Sequence, residues 1–533
     1  MPFFSRALLM CFRSMLLFSV LSSQAALADN KEQTLIMMGS AIETCTSLST
    51  QFCNTDTALG NEQSAQYLLT PQAIKNVKAQ WPTADKSRLV PTINNLNKLL
   101  NKHSAALSKP ELLWAWRDIA GEQLSQLSQI EFDYVFDMLE VAQLNGQSRA
   151  IKIDVENSKR SQVWLADSYK FIAASLKVKA QQPTLLVLTT SARDPYADAN
   201  YYETVLSQMG VRVEWLALTP ALATALTQGQ CNQLEQLRNK SMELYNRETV
   251  FPKRVSTEHR LCEQGIKSLI DKINSSTGVV LVGNSNNSHN LSTSFYNSKG
   301  EAYPWTSAVR DVPVLIAENK NAEFVAMQQV ENNQQSASDV LKNKNVETKP
   351  GLGSAEYAFI KNQFSETNSI ALLATALEET NQQVGLGIDA NTSLVIIKSN
   401  EGNVLTVLGQ RGVSGLTAAG QAQSFRYSYW PSGSVFHYAK QVFSLNQRSA
   451  ENALPNIKLP SLPMQRFNNI LTDKKLRSLT QALCLSQDSA AVGQQGAFLV
   501  SLNATNETSY KRINSSQYGC AIEQLGLTFS AIE

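Results

Sequence analysis

Four short apolar runs, each closed by a small or turn-forming residue and set between long polar stretches, constrain this chain more than any other feature. They are Leu35-Ile-Met-Met38 before Gly39, Thr184-Leu-Leu-Val-Leu188 before Thr189-Thr-Ser191, Gly278-Val-Val-Leu-Val282 before Gly283, and Val314-Leu-Ile-Ala317. A strand that is apolar at every position has no face to give to water, so it belongs to a sheet covered on both sides. After the second run Arg193-Asp-Pro marks a turn, Tyr201–Met209 has helical spacing, and Val211–Leu218 reads as another strand. That strand–turn–helix–strand order predicts a parallel sheet. A fifth stretch, Val384-Gly-Leu-Gly-Ile-Asp-Ala-Asn-Thr-Ser-Leu-Val-Ile396, reads as a turn into a buried strand, with Gly385 and Gly387 allowing backbones to approach closely.

The first 28 residues have the form of a secretory signal: Arg6 and Arg13, an apolar run from Met15 to Leu21, and a small-residue site at Ala26-Leu27-Ala28. The apolar run is too short to span a bilayer, and no later stretch reaches that length. A mature chain that is periplasmic or secreted, and not an integral membrane protein, is the expectation. The chain has 47 Lys+Arg against 45 Asp+Glu; with Arg6 and Arg13 removed the two are equal. Neutral balance argues against nucleic acid as a partner. Cys11 leaves with the signal, so Cys45, Cys53, Cys231, Cys262, Cys484 and Cys520 remain. An even number in an oxidising compartment points to disulfides, and nearest-neighbour pairing is the expected connectivity. The four histidines (103, 259, 289 and 437) are scattered, so neither a metal nor another cofactor is expected.

Residues 56–165 change character. Leu96, Leu99 and Leu100, then Leu124, Leu127, Ile130, Tyr134 and Leu139, follow helical spacing, with Pro71, Pro82, Pro91 and Pro110 between segments. We read this as a helical insertion in which Trp114 and Trp116 pack helices together. The polar stretch 331–353 predicts a flexible surface loop, and Val404–Leu408 and Ser424–His437 predict edge strands closing the sheet. Beyond a linker at Pro455–Pro463, Arg466–Leu485 predicts a helix, and Ala497–Leu502 with Leu525–Phe529 a β-pair. The chain thus divides into a core (29–55 and 166–440), the insertion, and a linker with C-terminal extension (441–533).

Common hydrolase and nucleotide motifs are absent: no G-x-S-x-G, H-E-x-x-H, G-x-x-x-x-G-K-[ST] or G-x-G-x-x-G occurs. Ser285 and Ser288 beside His289 form a nucleophile–base cluster on paper, but neighbours on one loop seldom face each other, and a solvated polar loop is the expectation. His437 reads as a strand residue with a local hydrogen-bond partner.

The Gly385-Leu-Gly-Ile-Asp389 segment resembles the Gly-(Leu/Ile)-Gly-Ile-Asp-Glu strand of the cyanophycinase family of serine exopeptidases. Further matches are Glu43-Thr-Cys-Thr-Ser with Cys53, the strand–turn around Ser191, Gly283-Asn-Ser-Asn286, the stretch after Val314, and Lys361-Asn-Gln-Phe364 before an apolar helix. The resemblance covers roughly 35–55 and 165–440. It implies a three-layer α/β/α domain with a mostly parallel sheet, similar to the class I glutamine-amidotransferase-like fold, decorated by a C-terminal α+β extension. It places Lys320 at the family's serine, Gln363 at its histidine and Ala390 at its glutamate. Gln363 does not titrate near pH 7, Ala390 can orient nothing, and Lys320 attacking an amide would leave another amide. The resemblance therefore implies a degenerate enzyme that binds a peptide or small-molecule ligand in a crevice formed by Asn286, Asn319, Lys320, Asn362, Gln363 and Asp389. An active serine exopeptidase cleaving β-linked Asp-Arg bonds is the alternative, and a homodimer stays open.

Overall fold

The structure, a computed structural model, describes residues 32–532 apart from 48–49, 55–64, 143–152, 155–162, 284–287, 332–334, 381, 400–401, 456–466 and 516–518. Strand β1 (Thr34–Met38) is buried along its whole length. Four helices follow: α1 (Pro71–Ala79), α2 (Leu89–Leu100), α3 (Lys109–Ser125) and α4 (Gln129–Leu139). Their starts are written locally. Thr70 caps α1, and Ser108 with Glu111 and Ser128 with Glu131 form reciprocal capping boxes at α3 and α4. These helices share an apolar cluster in which Leu96, Leu99, Leu112, Trp116 and Tyr134 are buried and which Tyr245 joins from later in the chain. Trp116 does pack helices together, but Trp114, two positions earlier and so on another side of the helix, is 62% exposed.

Helix α5 (Val163–Lys179), β2 (Thr184–Leu188), α6 (Pro195–Ser207), β3 (Arg212–Trp215), α7 (Pro252–Asn274), β4 (Gly278–Leu281) and β5 (Val314–Glu318) come next. Along the buried strands side chains alternate between two cores. Ile36, Met38, Leu185, Val187, Val280, Val314 and Ile316 pack with Trp164, Ile172 and Leu176 of α5 and with Val205 of α6. Leu35, Met37, Leu186, Leu188, Val279, Leu281 and Leu315 pack with Leu261, Leu269 and Ile273 of α7. Burial on both faces is why these strands carry no polar alternation.

After β5 a short helix, α8 (Lys320–Phe324), leads to β6 (Gln328–Glu331), α9 (Ala337–Asn343), β7 (Glu347–Pro350), β8 (Ala358–Asn362) and α10 (Ile370–Glu379). The loop expected over 331–353 thus contains a helix and a strand, and β7 pairs antiparallel with β6. Polarity misled there. Ser336 and Asp339 form a capping box that starts α9, and Val340 and Leu341 are buried beneath it. The chain continues through β9 (Val384–Ile388), β10 (Thr392–Ile397), β11 (Asn403–Gly409), β12 (Gly412–Ala418), β13 (Ser424–Pro431), β14 (Val435–Ala439) and β15 (Val442–Leu445). The last elements are α11 (Lys475–Ser486), β16 (Ala490–Gln495), β17 (Phe498–Asn503), β18 (Ser509–Ile513) and β19 (Gly519–Ala531).

The result is a mixed α/β protein with two nine-stranded sheets. The first has the order β15-β14-β11-β10-β1-β5-β4-β2-β3. Its β1, β5, β4, β2 and β3 run parallel, and the four others antiparallel. The second has the order β8-β9-β12-β13-β19-β17-β16 and ends in the two-residue strand Phe467–Asn468, with β18 against β19. A single mostly parallel sheet is therefore corrected to two sheets of mixed direction. Short connections such as that between β10 and β11 permit only antiparallel pairing. The stretch Ser424–His437 is not an edge: β13 lies inside the second sheet between β12 and β19, and β14 lies inside the first. The β13–β19 pairing also carries the second sheet across the boundary placed at 440/441. The stretch from Val384 is likewise two strands: β9 belongs to the second sheet and β10 to the first. At Gly385 and Gly387 the close neighbours are the side chains of Leu373 and Phe364, not backbone.

Three cysteine pairs stand at disulfide distance, Cys45–Cys53, Cys231–Cys262 and Cys484–Cys520, with Cα separations of 4.6, 5.7 and 5.9 Å. They fit an oxidising compartment. No described helix is long and apolar enough to cross a membrane. The expected signal and most of the expected linker lie outside the described residues.

Candidate functional site

The carboxyl ends of β1 and β5 in the first sheet meet the ends of β8 and β9 in the second. Gly39 donates its N–H to Thr392 O (2.8 Å), and a Cβ there would lie 2.1 Å from the carbonyl oxygen of Asp389. Only glycine fits so close a crossing. The path from β9 to β10 turns at Asn391 (φ 56°), whose N–H donates to Ser40 Oγ at 2.9 Å.

At this junction β5 ends in a sharp turn. Asn319 has φ 50° and ψ −130°, a conformation that costs a side-chain-bearing residue of order 1–3 kcal/mol. The surroundings impose it: Asn319 N–H donates to Met38 O (2.8 Å), and its carbonyl accepts from Ala322 N–H (3.0 Å). Its side-chain Oδ1 accepts from Asn362 Nδ2 at 2.6 Å and from Gln363 Nε2 at 3.2 Å. Gln363 is itself left-handed, at φ 46°. Two strained residues thus touch through their amides. Neither Asn319 Nδ2 nor Gln363 Oε1 has a hydrogen bond among the described residues.

The expected positions therefore fall differently. The strand-to-helix turn is at Asn319, one residue before the matched position, and Lys320 is the exposed first residue of α8. Gln363 meets Asn319, not Lys320. Ala390 contributes only backbone groups: Glu366 Oε2 accepts its N–H at 2.9 Å, and its carbonyl accepts from Thr392 Oγ1 at 3.4 Å. Asp389 does not line the crevice. It is 0% exposed and accepts from Ser365 N–H (3.2 Å), Tyr429 Oη (3.4 Å) and Arg477 Nη1 (2.9 Å). Burial pushes its carboxyl up, against the pull of Arg477. Asn362 is buried, held by the amide contact and by its N–H to Glu323 Oε1 at 3.2 Å. Asn286 and Ser285 lie outside the described residues, as do the side chains of Ser288 and His289. His437 is remote, on β14, with Nε2 at 2.8 Å from Asn446 Nδ2.

Sequence reading missed Glu318, the last residue of β5. It is 0% exposed and accepts from Ile42 N–H, Tyr202 Oη and Gly283 N–H. A charge closing an otherwise apolar strand was the available signal. Burial pushes its carboxyl up to about 7, with those donors opposing. The folded state thus binds this proton more tightly than the unfolded chain. The associated stability is full below pH 4.5, the ordinary value, and is lost as pH rises through about 7. The span amounts to roughly 3 kcal/mol. Urea midpoints measured across that window should fall more steeply in the native protein than in Glu318→Gln; an equal slope in both would exclude Glu318 as a cause.

Chemically the turn offers three amides. They donate and accept, but none can take up and return a proton near pH 7. Among the described residues no group of three or more His, Cys, Asp or Glu could hold a metal ion. A cleft of about 750 Å³ lies elsewhere, at the β3 edge, lined by Glu203, Trp215, Phe251, Lys253, Arg254 and Lys272. Its cations Arg254 and Lys272 are already paired with Glu203 and Glu214.

No family model matches this chain, and no curated protein matches it. It is similar to a solved structure described as a peptidase from an acI-B1 Actinobacterium, at 12% identity and a TM-score of 0.33, over 53% of this chain and 94% of the other. A likeness of that size carries no argument about chemistry.

Proposed function

We propose that this chain is a secreted or periplasmic cyanophycinase-like protein that no longer hydrolyses and instead binds a peptide-like ligand where the two sheets meet. In this reading its scaffold is the three-layer α/β/α arrangement of class I glutamine amidotransferases, carrying an insertion at 56–165 and an extension after 440. The parallel strands with helices on both faces support that scaffold. The observation that carries the function is the Asn319 turn. A strained residue persists only where its surroundings over-determine it, and such residues cluster at functional sites. Here the strain presents the Asn319 Nδ2 and Gln363 Oε1 atoms, unpaired among the described residues, as a donor and an acceptor that complement a peptide group.

Calorimetric titration with β-linked Asp-Arg dipeptide and with α-linked peptides tests this, with chromatography of the mixtures for products. Binding without cleavage is expected. Asn319→Gly keeps the turn, since glycine accepts positive φ freely, and removes the amide. It should weaken binding about tenfold or more, while Lys253→Glu in the β3-edge cleft should leave it unchanged. Clean labelling of one serine by a covalent serine-directed probe, with product release, would instead establish the active exopeptidase.

A further inference from the structure

We infer that Asn319 is a self-modification site, at which the folded protein converts its own asparagine to aspartate and isoaspartate through a cyclic imide. This goes beyond ligand binding and holds whether or not the crevice has a ligand.

The inference rests on the backbone angle. Asparagine closes an imide when the next residue's amide nitrogen attacks its side-chain carbonyl carbon. The five-membered ring requires Cβ and that nitrogen to lie on the same side of the Cα–C bond. Tetrahedral geometry at an L-residue's Cα brings them into register at ψ near about −120°. Asn319 sits at ψ −130°. The Lys320 nitrogen is thus nearly eclipsed with the Asn319 Cβ, and closure needs rotation only about the Cα–Cβ and Cβ–Cγ bonds. In an unfolded chain this angle is rarely visited, because the compatible backbone regions are crowded for residues with a Cβ.

Two further features favour the same step. Lys320 begins α8, so its N–H is among the first-turn donors that have no partner within the helix. The side-chain carbonyl under attack has its Oδ1 held by Asn362 Nδ2 (2.6 Å) and Gln363 Nε2 (3.2 Å). In this resting rotamer those donors polarise the carbonyl and make its carbon a better electrophile. Competing chain cleavage, in which Nδ2 attacks the Asn319 backbone carbonyl, is disfavoured. At this ψ the side chain lies in the plane of that carbonyl and not above it.

In balance, hydroxide removes the Lys320 N–H proton and the nitrogen bonds to Asn319 Cγ. The Cγ–Nδ2 bond breaks, and Nδ2 takes a proton from water and leaves as ammonia. Water then opens the imide at either carbonyl, giving aspartate or, with the chain rerouted through the side chain, isoaspartate. No oxidant or metal is required. The product places a carboxylate against Asn362 and Gln363 and converts a neutral crevice into an anionic one.

The test incubates native protein and a urea-unfolded sample at mildly alkaline pH. Ammonia is measured, and the tryptic peptide Asp311–Lys320 is followed by mass spectrometry, with isoaspartyl methyltransferase labelling to identify the product. The native peptide should exchange its amide NH₂ for OH at least about tenfold faster than the unfolded one, the effect of fixing the reacting atoms. Asn246, equally left-handed but at ψ 22°, serves as internal reference and should stay unmodified in the native protein. Gln363→Gly retains the positive φ, removes one donor and should slow the conversion roughly tenfold. Asn319→Gln, which would need a six-membered ring, should abolish it. A native rate at or below the unfolded rate, or equal conversion in Gln363→Gly, overturns the proposal.

Discussion

Arg247→Met is expected to lower the unfolding free energy by about 3–5 kcal/mol, because it leaves buried carboxylates without their cation. Arg247 is fully buried, and its guanidinium reaches Asp194 Oδ2 (2.5 Å), Glu140 Oε2 (2.8 Å) and the carbonyl of Tyr245 (2.7 Å). Asp137, whose carboxyl burial already pushes up, is held by Arg247 and by a two-pronged contact from Arg193 at 3.1 and 2.7 Å. Asp137 and Glu140 lie at the end of the four-helix segment, whereas Arg193, Asp194 and Arg247 lie in the chain that follows β2. The network is therefore the bolt between them. Urea unfolding should show the loss, and limited proteolysis should show the cut chain opening first within residues 69–141. A loss below about 1 kcal/mol, the range of a solvated surface pair, would mean that the insertion is held by apolar packing alone.

A second large effect is expected from Arg477→Met, about 3 kcal/mol near neutral pH. Arg477 comes from α11 and reaches Asp389 Oδ2 at 2.9 Å and Glu366 Oε1 at 3.2 Å. Glu366 in turn holds the Ala390 N–H and pairs with Arg411. The C-terminal extension thus braces the segment that carries Gln363. Asp389 titrates above its ordinary range in the folded protein, so it costs least when protonated. The deficit of the variant should therefore shrink as pH falls and the carboxyl takes up its proton. Paired urea titrations at pH 8 and pH 5 check the sign, and a deficit that grows towards pH 5 would contradict it. Ligand affinity at the Asn319 turn should fall together with stability.

Some of this was legible in residue order and some was not, for identifiable reasons. The strands at 34–38, 184–188, 278–281 and 314–318 announced themselves, because burial on both faces leaves a run without polar positions. The second sheet gave no such signal. Its β13 and β19 pair Phe425 with Leu527 across about a hundred residues, and each alternates apolar and polar positions weakly. The nearest-neighbour cysteine pairs matched because a short loop closes at the lowest entropic cost. Residue spacing places the strand-to-helix turn at Lys320. The backbone put it at Asn319, where the chain leaves the ladder after Glu318.

Residue order alone settles which segments are buried on both faces and that Lys320, Gln363 and Ala390 cannot act as a serine, histidine and glutamate. Those properties are written in local spacing and in side-chain chemistry, which no fold can alter. Folding is what brings Asn319, Asn362 and Gln363 to one point, seals Asp389 beneath Arg477, and pushes the Glu318 carboxyl up to about 7 by burial. Those facts depend on removing water from groups far apart in the chain, and the cost of removing it is set by neighbours that only folding supplies.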